Sequence, residues 1–227
     1  MCIRDSVNSM LDNDVKNILY VSTASIYPKT VQGRVSEKRT PVPKTPYAKT
    51  KFITEQLIND YKVYGLKSTI LRLFNVAGAH GFNDLDIGKN VITVLLNLIK
   101  DNRLFTLMGN DYPTPDGTCV KDFIHVDDVT EAIGKSAAKL LEPDTASQTY
   151  NLGTGKGTSL GELIRKSIDI TGKELKLRIG AALEDEVPSL IANNTKIKKD
   201  LGWAPQKNID EIITSCWKWI LQNGGKR

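Results

Sequence analysis

The sequence predicts an α/β fold with a parallel sheet, and three features of its N-terminal third support this. Residues 18–21 form a short apolar run bounded by polar residues, as expected for a buried parallel strand. A helix should follow, because Thr45 suits an N-cap, Pro46 the first helical position and Gly65 the helix end. Residues 68–73 form a second apolar, β-branched run and predict the next strand.

Three side chains in this region suggest proton transfer from an alcohol. Thr23 ends the first strand, where open α/β sheets bind ligands, and Tyr47 and Lys51 share a helix face. A free tyrosine has a pKa near ~10, so a tyrosine base at neutral pH needs a nearby positive charge. An ammonium at ~4 Å contributes about 4 kcal/mol at an effective dielectric near 20. The spacing alone also fits a half-buried tyrosine and a solvated lysine, but the preceding strand and hydroxyl favour a base.

Several motifs resemble a known family. Residues 22–27 and 46–51 resemble the extended short-chain dehydrogenase/reductase (NAD-dependent epimerase/dehydratase) family. Residues 71–79, 109–126 and 150–153 are similar to the UDP-glucose 4-epimerases within it. The resemblance runs from about residue 17 to the final helix. It implies a doubly wound (Rossmann) NAD-binding sheet with a small α/β substrate domain.

The resemblance implies a nucleotide-sugar 4-epimerase that interconverts UDP-glucose and UDP-galactose through a 4-keto intermediate with tightly bound NAD. Tyr47 would take the proton of the sugar 4-hydroxyl, Thr23 would position that hydroxyl, and Lys51 would activate Tyr47 and bind the nicotinamide ribose. The implied cofactor contacts are Ser22, Thr23, Tyr47, Lys51 and Phe74. The implied substrate contacts are Thr23, Asn75, Asn90, Val91, Lys121, Phe123 and Glu186.

The chain departs from the family pattern at the diphosphate. Lys121 occupies a position for a basic residue, and lysine is a point charge without the bidentate fork of arginine. Leu183 stands where the epimerases carry a diphosphate-binding arginine, and Glu186 where they carry an aspartate for the ribose hydroxyls. This fits either a divergent pocket or a shifted alignment. Epimerases of UDP-N-acetylglucosamine, UDP-xylose or a uronic acid, and a non-catalytic NAD or nucleotide-sugar binding protein, remain alternatives.

A sugar-nucleotide 4,6-dehydratase is disfavoured by the residues after Thr23. Elimination of water needs an added acid and base, and the dehydratases carry Asp-Glu directly after the hydroxyl residue. Ala24 and Ser25 occupy those positions here. The sequence therefore favours epimerisation over dehydration.

The expected domain boundaries follow from the same resemblance. Residues 7–80 and 120–152 should form the C-terminal half of the Rossmann domain, and residues 81–119 and 153–227 the substrate domain. No glycine-rich phosphate turn precedes Thr23, and we interpret residues 153–157 as a turn before a helix capped by Ser159 and Glu162. We expect this chain to be a piece of a longer enzyme. It should lack the first half of this domain, including the residues that distinguish NAD from NADP. It should be inactive alone, and residues 1–6 resemble nothing in the family.

Composition limits the partners. The chain has 227 residues, 40% of them hydrophobic, and a net charge of +5. Its lysines are dispersed and lack interleaved aromatic residues, so we expect no nucleic-acid partner. The longest apolar stretch, 91–99, falls short of the ~18 residues of a membrane span, and residues 1–6 lack the apolar core of a secretory signal. Three scattered cysteines fit reduced thiols in the cytoplasm. By resemblance, a homodimer forms through the Tyr47 helix and the helix before it.

Residues 122–128 contain several metal-ligand types, but we expect no metal site. Asp127 is interpreted as the cap of a helix over 129–141, with His125 packed at a strand end. The turn-rich loop 112–118 should cover one side of the pocket.

Two further helices are predicted from their apolar spacing. The helix over 91–100 should bury Val91, Val94, Leu95 and Leu98. Asn208 and Glu211 should begin the last helix, with Ile212, Ile213, Cys216, Trp217 and Ile220 on its apolar side. Trp217 and Trp219 are expected to be packing residues.

Overall fold

The computed structural model describes residues 3–28, 33–81, 90–183 and 186–223. The helices are α1 (Ile3–Asp12), α2 (Pro46–Asp60), α3 (Val91–Lys100), α4 (Val126–Leu141), α5 (Leu160–Thr171), α6 (Thr195–Leu201) and α7 (Ile209–Asn223). The strands are β1 (Asn17–Thr23), β2 (Arg34–Val35), β3 (Lys67–Leu73), β4 (Asn75–Ala77), β5 (Leu104–Met108), β6 (Val120–Lys121), β7 (Phe123–His125), β8 (Gln148–Leu152), β9 (Thr158–Ser159), β10 (Lys176–Gly180) and β11 (Ser189–Ala192). Within these ranges no helix has both the length and the apolar character to cross a membrane.

The main sheet confirms the predicted α/β class. Its strands β1, β3 and β8 are parallel, in the order β1-β3-β8, and Thr23 and Leu152 both pair with Leu73. The carboxyl ends of the strands therefore lie side by side. The prediction that β1 is buried was wrong, since Val21 is 39% exposed. In the part of the chain that the structure describes, β3 is the only strand paired with β1, which leaves β1 at the sheet edge.

Helix α2 begins at the predicted signals, but it ends at Asp60 and not at the predicted Gly65. The Thr45 hydroxyl accepts a hydrogen bond from the Ala48 N–H (3.1 Å), and Pro46 is the first helical residue. After Asp60 the chain continues as a 3₁₀ turn, which ends at Gly65 with a φ of 87°. The capped first turn fixes the backbone on which Tyr47 stands.

A second core lies around α3, α5 and α7, which pack together beside the parallel pair β5 and β10. Asn208 caps α7: its side-chain oxygen accepts from the Glu211 N–H (3.0 Å), and its own N–H donates to Glu211 (2.9 Å). The predicted apolar side of α7 is buried as expected, and so is Trp219. Cys119 and Cys216 are buried free thiols, whereas Cys2 lies outside the described residues.

The buried stripe of α3 differs from the predicted one. Of the four predicted core residues only Leu95 is fully buried, while Val91 and Leu98 are partly buried against the core. The helix instead buries Ile92, Leu95, Leu96 and Ile99. Because α3 is apolar nearly all round, two stripes share helical spacing, and packing selects between them.

The loop over 153–157 is held by Asp122, a contact that the sequence did not reveal. The Asp122 carboxylate is fully buried and accepts hydrogen bonds from the N–H groups of Thr154, Gly155 and Ala192 (2.8–3.0 Å) and from the Thr154 hydroxyl (2.6 Å). Burial raises the pKa of Asp122, and these hydrogen bonds oppose the shift. The loop leads to α5 as predicted, and the Ser159 hydroxyl accepts from the Glu162 N–H (3.0 Å).

A buried ion pair fixes α2 on the main sheet. Arg72 of β3 donates to both carboxylate oxygens of Glu55 on α2, with an Nη2–Oε2 distance of 2.7 Å. The two side chains are only 9% and 2% exposed. Arg72 also donates to the Tyr27 hydroxyl (2.9 Å), which donates to Asn151 (2.7 Å). This network ties the helix that carries Tyr47 to β3 and β8.

Replacing Glu55 with Ala should lower the free energy of unfolding by about 3–5 kcal/mol, because Arg72 would remain buried without its carboxylate. Urea unfolding measures the change. Glu131→Ala is the matched control, since it removes an exposed pair with Lys135 and should cost less than about 1 kcal/mol. Equal losses for the two variants would contradict the importance of the buried pair.

Candidate active site

A cleft of about 750 Å³ opens at the carboxyl ends of β4 and β6, between α2 and the start of α3. It is lined by Tyr47, Asn75, Val76, Ala77, Gly78, Asn90, Val91, Thr93, Lys121, Phe123, Val126 and Glu186. Residues far apart in sequence thus meet around one volume. Such a cleft, with a few polar groups on an apolar wall, suits a small-molecule ligand.

The structure brings most of the predicted contact residues to this cleft. Those that line it are Tyr47, Asn75, Asn90, Val91, Lys121, Phe123 and Glu186. Tyr47 is 58% exposed, so its side chain is accessible. The cleft therefore combines a phenol, two amides and an ion pair.

The other predicted residues lie beside the cleft at the ends of β1 and β3. Thr23 is buried, and its hydroxyl accepts from the Ser25 N–H (3.2 Å) at the start of a short 3₁₀ turn. Lys51 donates to the Val21 carbonyl oxygen (3.0 Å), so its ammonium sits at the carboxyl end of β1. Phe74 is buried in the cluster that contains Ala24, Tyr27 and Ala48.

The cation of the cleft is paired with its carboxylate. The ammonium group of Lys121 donates to Glu186 and also to the Val187 carbonyl oxygen (3.4 Å). The Val187 N–H donates to the Glu186 carboxylate (3.0 Å). Leu183 is 46% exposed and does not line the cleft, and residues 184 and 185 lie outside the described ranges.

Asn90 shapes the wall at the start of α3. Its side-chain oxygen caps the helix by accepting from the Ile92 N–H (2.9 Å), and its amide nitrogen donates to the Val76 carbonyl (2.7 Å). Asn75 donates through its amide to the Asp122 carbonyl (3.3 Å). The positive end of the α3 dipole therefore lies at the cleft wall, where it favours negative charge.

Sequence reasoning missed the backbone that forms the cleft floor. Val76, Ala77 and Gly78 follow Asn75 and line the cleft. Gly78 has a φ of 88°, and a Cβ there would lie 2.3 Å from the His125 ring. A glycine three residues after a ligand-type asparagine was the signal that could have indicated this close approach.

His125 is the cap of α4, so the prediction that Asp127 caps this helix was wrong. Helix α4 begins at Val126, and His125 Nδ1 accepts from the Asp127 N–H (3.1 Å). Its other nitrogen, Nε2, therefore carries the proton and donates to the Ser215 hydroxyl (3.1 Å), which donates to the Ile212 carbonyl (2.9 Å). Ser215, His125 and Asp127 have the residue types of a hydrolase triad, but these directions leave His125 unable to accept the serine proton.

The prediction that loop 112–118 covers the pocket was also wrong. None of its residues lines the cleft. The loop is fastened to the start of α5: Asp116 accepts from the Ser159 hydroxyl (2.5 Å), and the Thr118 hydroxyl accepts from the Gly161 N–H (3.0 Å). The Tyr112 hydroxyl also accepts from the Leu183 N–H (3.0 Å), so the loop is tied both to the start of α5 and to residue 183.

Comparison with known proteins identifies the family of this chain. Residues 4–153 match the profile of the NAD dependent epimerase/dehydratase family, so the expectation that residues 1–6 resemble nothing in the family was wrong for residues 4–6. The chain belongs to this family. The UDP-glucose 4-epimerase of Rhizobium leguminosarum bv. trifolii is 36% identical over 211 residues, and that of Rhizobium meliloti is 35% identical over 221 residues. These matches cover 90% and 94% of the chain but only 64% and 66% of the two relatives.

Solved structures agree with the α/β fold of the family. A UDP-glucose 4-epimerase from Stenotrophomonas maltophila with bound NAD and formylated UDP-arabinopyranose superposes with a TM-score of 0.91 at 30% identity, over 97% of this chain and 68% of that one. The Brucella ovis UDP-glucose 4-epimerase in complex with NAD gives a TM-score of 0.89 at 28% identity, over 96% of this chain and 69% of that one. The Rossmann-type fold expected from the sequence is thereby confirmed.

His125 should make stability depend on pH. Burial lowers the pKa of His125, against the opposing charges of Asp127 and Asp128. The unfolded chain, with a histidine pKa near 6.5, then binds the proton more readily, so this contribution to stability is complete above about pH 6.5 and is lost as the pH falls. His125→Asn keeps a capping acceptor but does not titrate. Its urea midpoint should fall less than that of the wild type between about pH 7 and about pH 5, and parallel losses would contradict this origin.

Proposed function

We propose that the protein carrying this chain is a nucleotide-sugar 4-epimerase that interconverts UDP-glucose and UDP-galactose with tightly bound NAD. The observation that carries the proposal is the cleft, whose lining brings the phenol of Tyr47 together with the ammonium group of Lys121 and the amide of Asn75. A sugar nucleotide offers a hydroxyl for the phenol and a diphosphate for the cation. The relatives named above as UDP-glucose 4-epimerases support the choice of substrate.

The residues at the end of β1 fit a nicotinamide cofactor. The Ser22 hydroxyl is buried and has no hydrogen-bond partner among the described residues, so a ligand at the sheet end would satisfy it. Among the described residues, the Lys51 ammonium donates one hydrogen bond, to the Val21 carbonyl, and its other two donors would bind ribose hydroxyls. Ser22, Thr23, Tyr47, Lys51 and Phe74 would hold the cofactor, which supplies the hydride acceptor and donor for sugar C4 when bound.

In the proposed mechanism, Tyr47 takes the proton of the sugar 4-hydroxyl as its C4 is oxidised and returns it when the 4-keto sugar is reduced on its other face. The Thr23 hydroxyl would form a hydrogen bond with the same oxygen and so fix its position. The positive charge of Lys51 stabilises the phenolate form of Tyr47, and Phe123 packs beside the sugar. The Arg72–Glu55 pair helps by fixing the helix from which Tyr47 and Lys51 project.

On the nucleotide side, Lys121 would bind the diphosphate and Glu186 the ribose hydroxyls, with Asn75, Asn90 and Val91 completing the wall. Among the described residues that line the cleft, Lys121 is the only cation, so it would provide the main positive side chain for the diphosphate. A different UDP-sugar remains the nearest alternative, and comparing UDP-N-acetylglucosamine with UDP-glucose as substrates tests it. A larger kcat/KM for UDP-N-acetylglucosamine than for UDP-glucose would make the acetylated sugar the assigned substrate.

We further propose that residues 7–80 and 120–152 belong to the NAD-binding domain and that residues 81–119 and 153–227 form the substrate domain of a cytoplasmic enzyme. We also propose a homodimer through α1 and α2. These two helices pack together around Val7 and Ile58, and α2 keeps Ile53 59% exposed.

Replacing Tyr47 with Phe, in the full protein that carries this chain, should lower kcat by about 10²–10⁴-fold, because the 4-hydroxyl loses its base. NAD should remain bound, as measured by its absorbance after denaturation. Tyr64→Phe is the control, since Tyr64 is exposed outside the cleft and its variant should keep full activity. Near-normal turnover of Tyr47→Phe in a UDP-galactose assay would refute the assignment of the base.

Ile53→Glu should convert the dimer to a monomer, because it places a charge on the proposed apolar contact. Sedimentation velocity distinguishes the two states. Val63→Glu is the control, since Val63 is 82% exposed beyond the end of α2 and should leave the dimer intact. An unchanged sedimentation coefficient for Ile53→Glu would place the interface elsewhere.

A further inference from the structure

A second cavity, of about 570 Å³, shares only Phe123 with the catalytic cleft. It lies between the loop after β8, the start of α5 and the connection from α6 to α7. Its charged side chains are the lysines Lys156, Lys166, Lys198 and Lys207 and the carboxylates Glu162 and Asp210. The proposed epimerase mechanism uses none of these six residues.

Two of the four lysines are paired and two are not. Lys166 donates to Asp210 (2.8 Å), and Lys207 donates to Glu211 (3.2 Å). The ammonium groups of Lys156 and Lys198 make no hydrogen bond or ion pair with any residue in the described ranges. Glu162 lines the same cavity and also makes no ion pair with any described residue. The unpaired groups are therefore two exposed ammonium groups and one carboxylate, whose net positive charge favours an anion.

The backbone under both unpaired lysines is fixed. Lys156 follows Thr154 and Gly155, whose N–H groups donate to the buried Asp122. On its other side Gly157 packs so closely that a Cβ would lie 2.5 Å from Val120. Lys198 stands within α6. Binding of a ligand would therefore cost little conformational entropy in the loop that carries Lys156.

We propose that this cavity binds a small anion of the diphosphate class, with Lys156 and Lys198 as its principal cations. Lysine binds phosphate groups as a point charge, which suits two flexible ammonium groups. Ala204, Pro205 and Ile209 provide an apolar wall for the organic part of such a molecule. The volume lies within the range of small-molecule sites, about 300–1,000 Å³.

Inorganic pyrophosphate is the probe, and isothermal titration at low ionic strength is the measurement. Because pyrophosphate can also bind Lys121 in the catalytic cleft, the titrations use the chain with Lys121→Ala. Lys198→Glu and Lys156→Glu are the test variants. Lys199→Glu is the matched control, because Lys199 neighbours Lys198 on α6, is exposed, and lies outside the second cavity. Urea midpoints of all variants establish that they fold equally.

The Lys121→Ala chain should bind one pyrophosphate saturably, and either test variant should weaken this binding at least about tenfold. The control should change the affinity less than about twofold, since Lys199 does not line the cavity and its distant charge is screened by salt. Absence of saturable binding in the Lys121→Ala chain would overturn the proposal. An equal loss for Lys199→Glu and Lys198→Glu would also overturn it, because a general surface field would then explain the binding.

Discussion

Both cavities depend on the buried carboxylate of Asp122. It accepts hydrogen bonds from the loop after β8, through Thr154 and Gly155, and from β11, through Ala192. Asp122 also stands between Lys121 and Phe123 in sequence, so the same buried carboxylate fixes the backbone that carries two side chains of the cleft. A buried carboxylate without these donors would be costly, and the three segments therefore keep their positions together.

The cleft is electrostatically balanced before any ligand enters. Lys121 already has a carboxylate partner in Glu186, so an anion that approaches Lys121 also meets a negative charge. A ligand is favoured when it gives Lys121 an anionic oxygen and Glu186 a hydroxyl at the same time. A ribose attached to a diphosphate has both groups close together, whereas free phosphate has only one. Under the proposed function, this one ion pair would therefore provide selectivity for nucleotides without an arginine in the cleft lining.

Local signals predicted the elements that they directly determine. Thr45 and Pro46 gave the start of α2 because neighbouring residues determine capping, whereas Gly65 marks the end of the 3₁₀ turn after the helix and not the end of α2. The cap of α4 was missed because Asp127 is the commoner capping type, and only the position of β7 assigns that role to His125. The contact between Arg72 and Glu55 joins a strand to a helix, so no local pattern marks it. Most cleft residues were predicted through family motifs, whereas the Gly78 floor and the position of loop 112–118 required the three-dimensional structure.

Strand β1 has one unpaired edge in the described part of the chain. In the described part of the chain, β1 pairs only with β3, and its outer side presents backbone groups and the exposed Val21. Such an edge is a template on which another strand can add. Lys51 occupies one carbonyl there, at Val21, and so protects one end of the strand. Aggregation of this chain at high concentration would therefore begin along the unpaired edge of β1, on the N-terminal side of Val21.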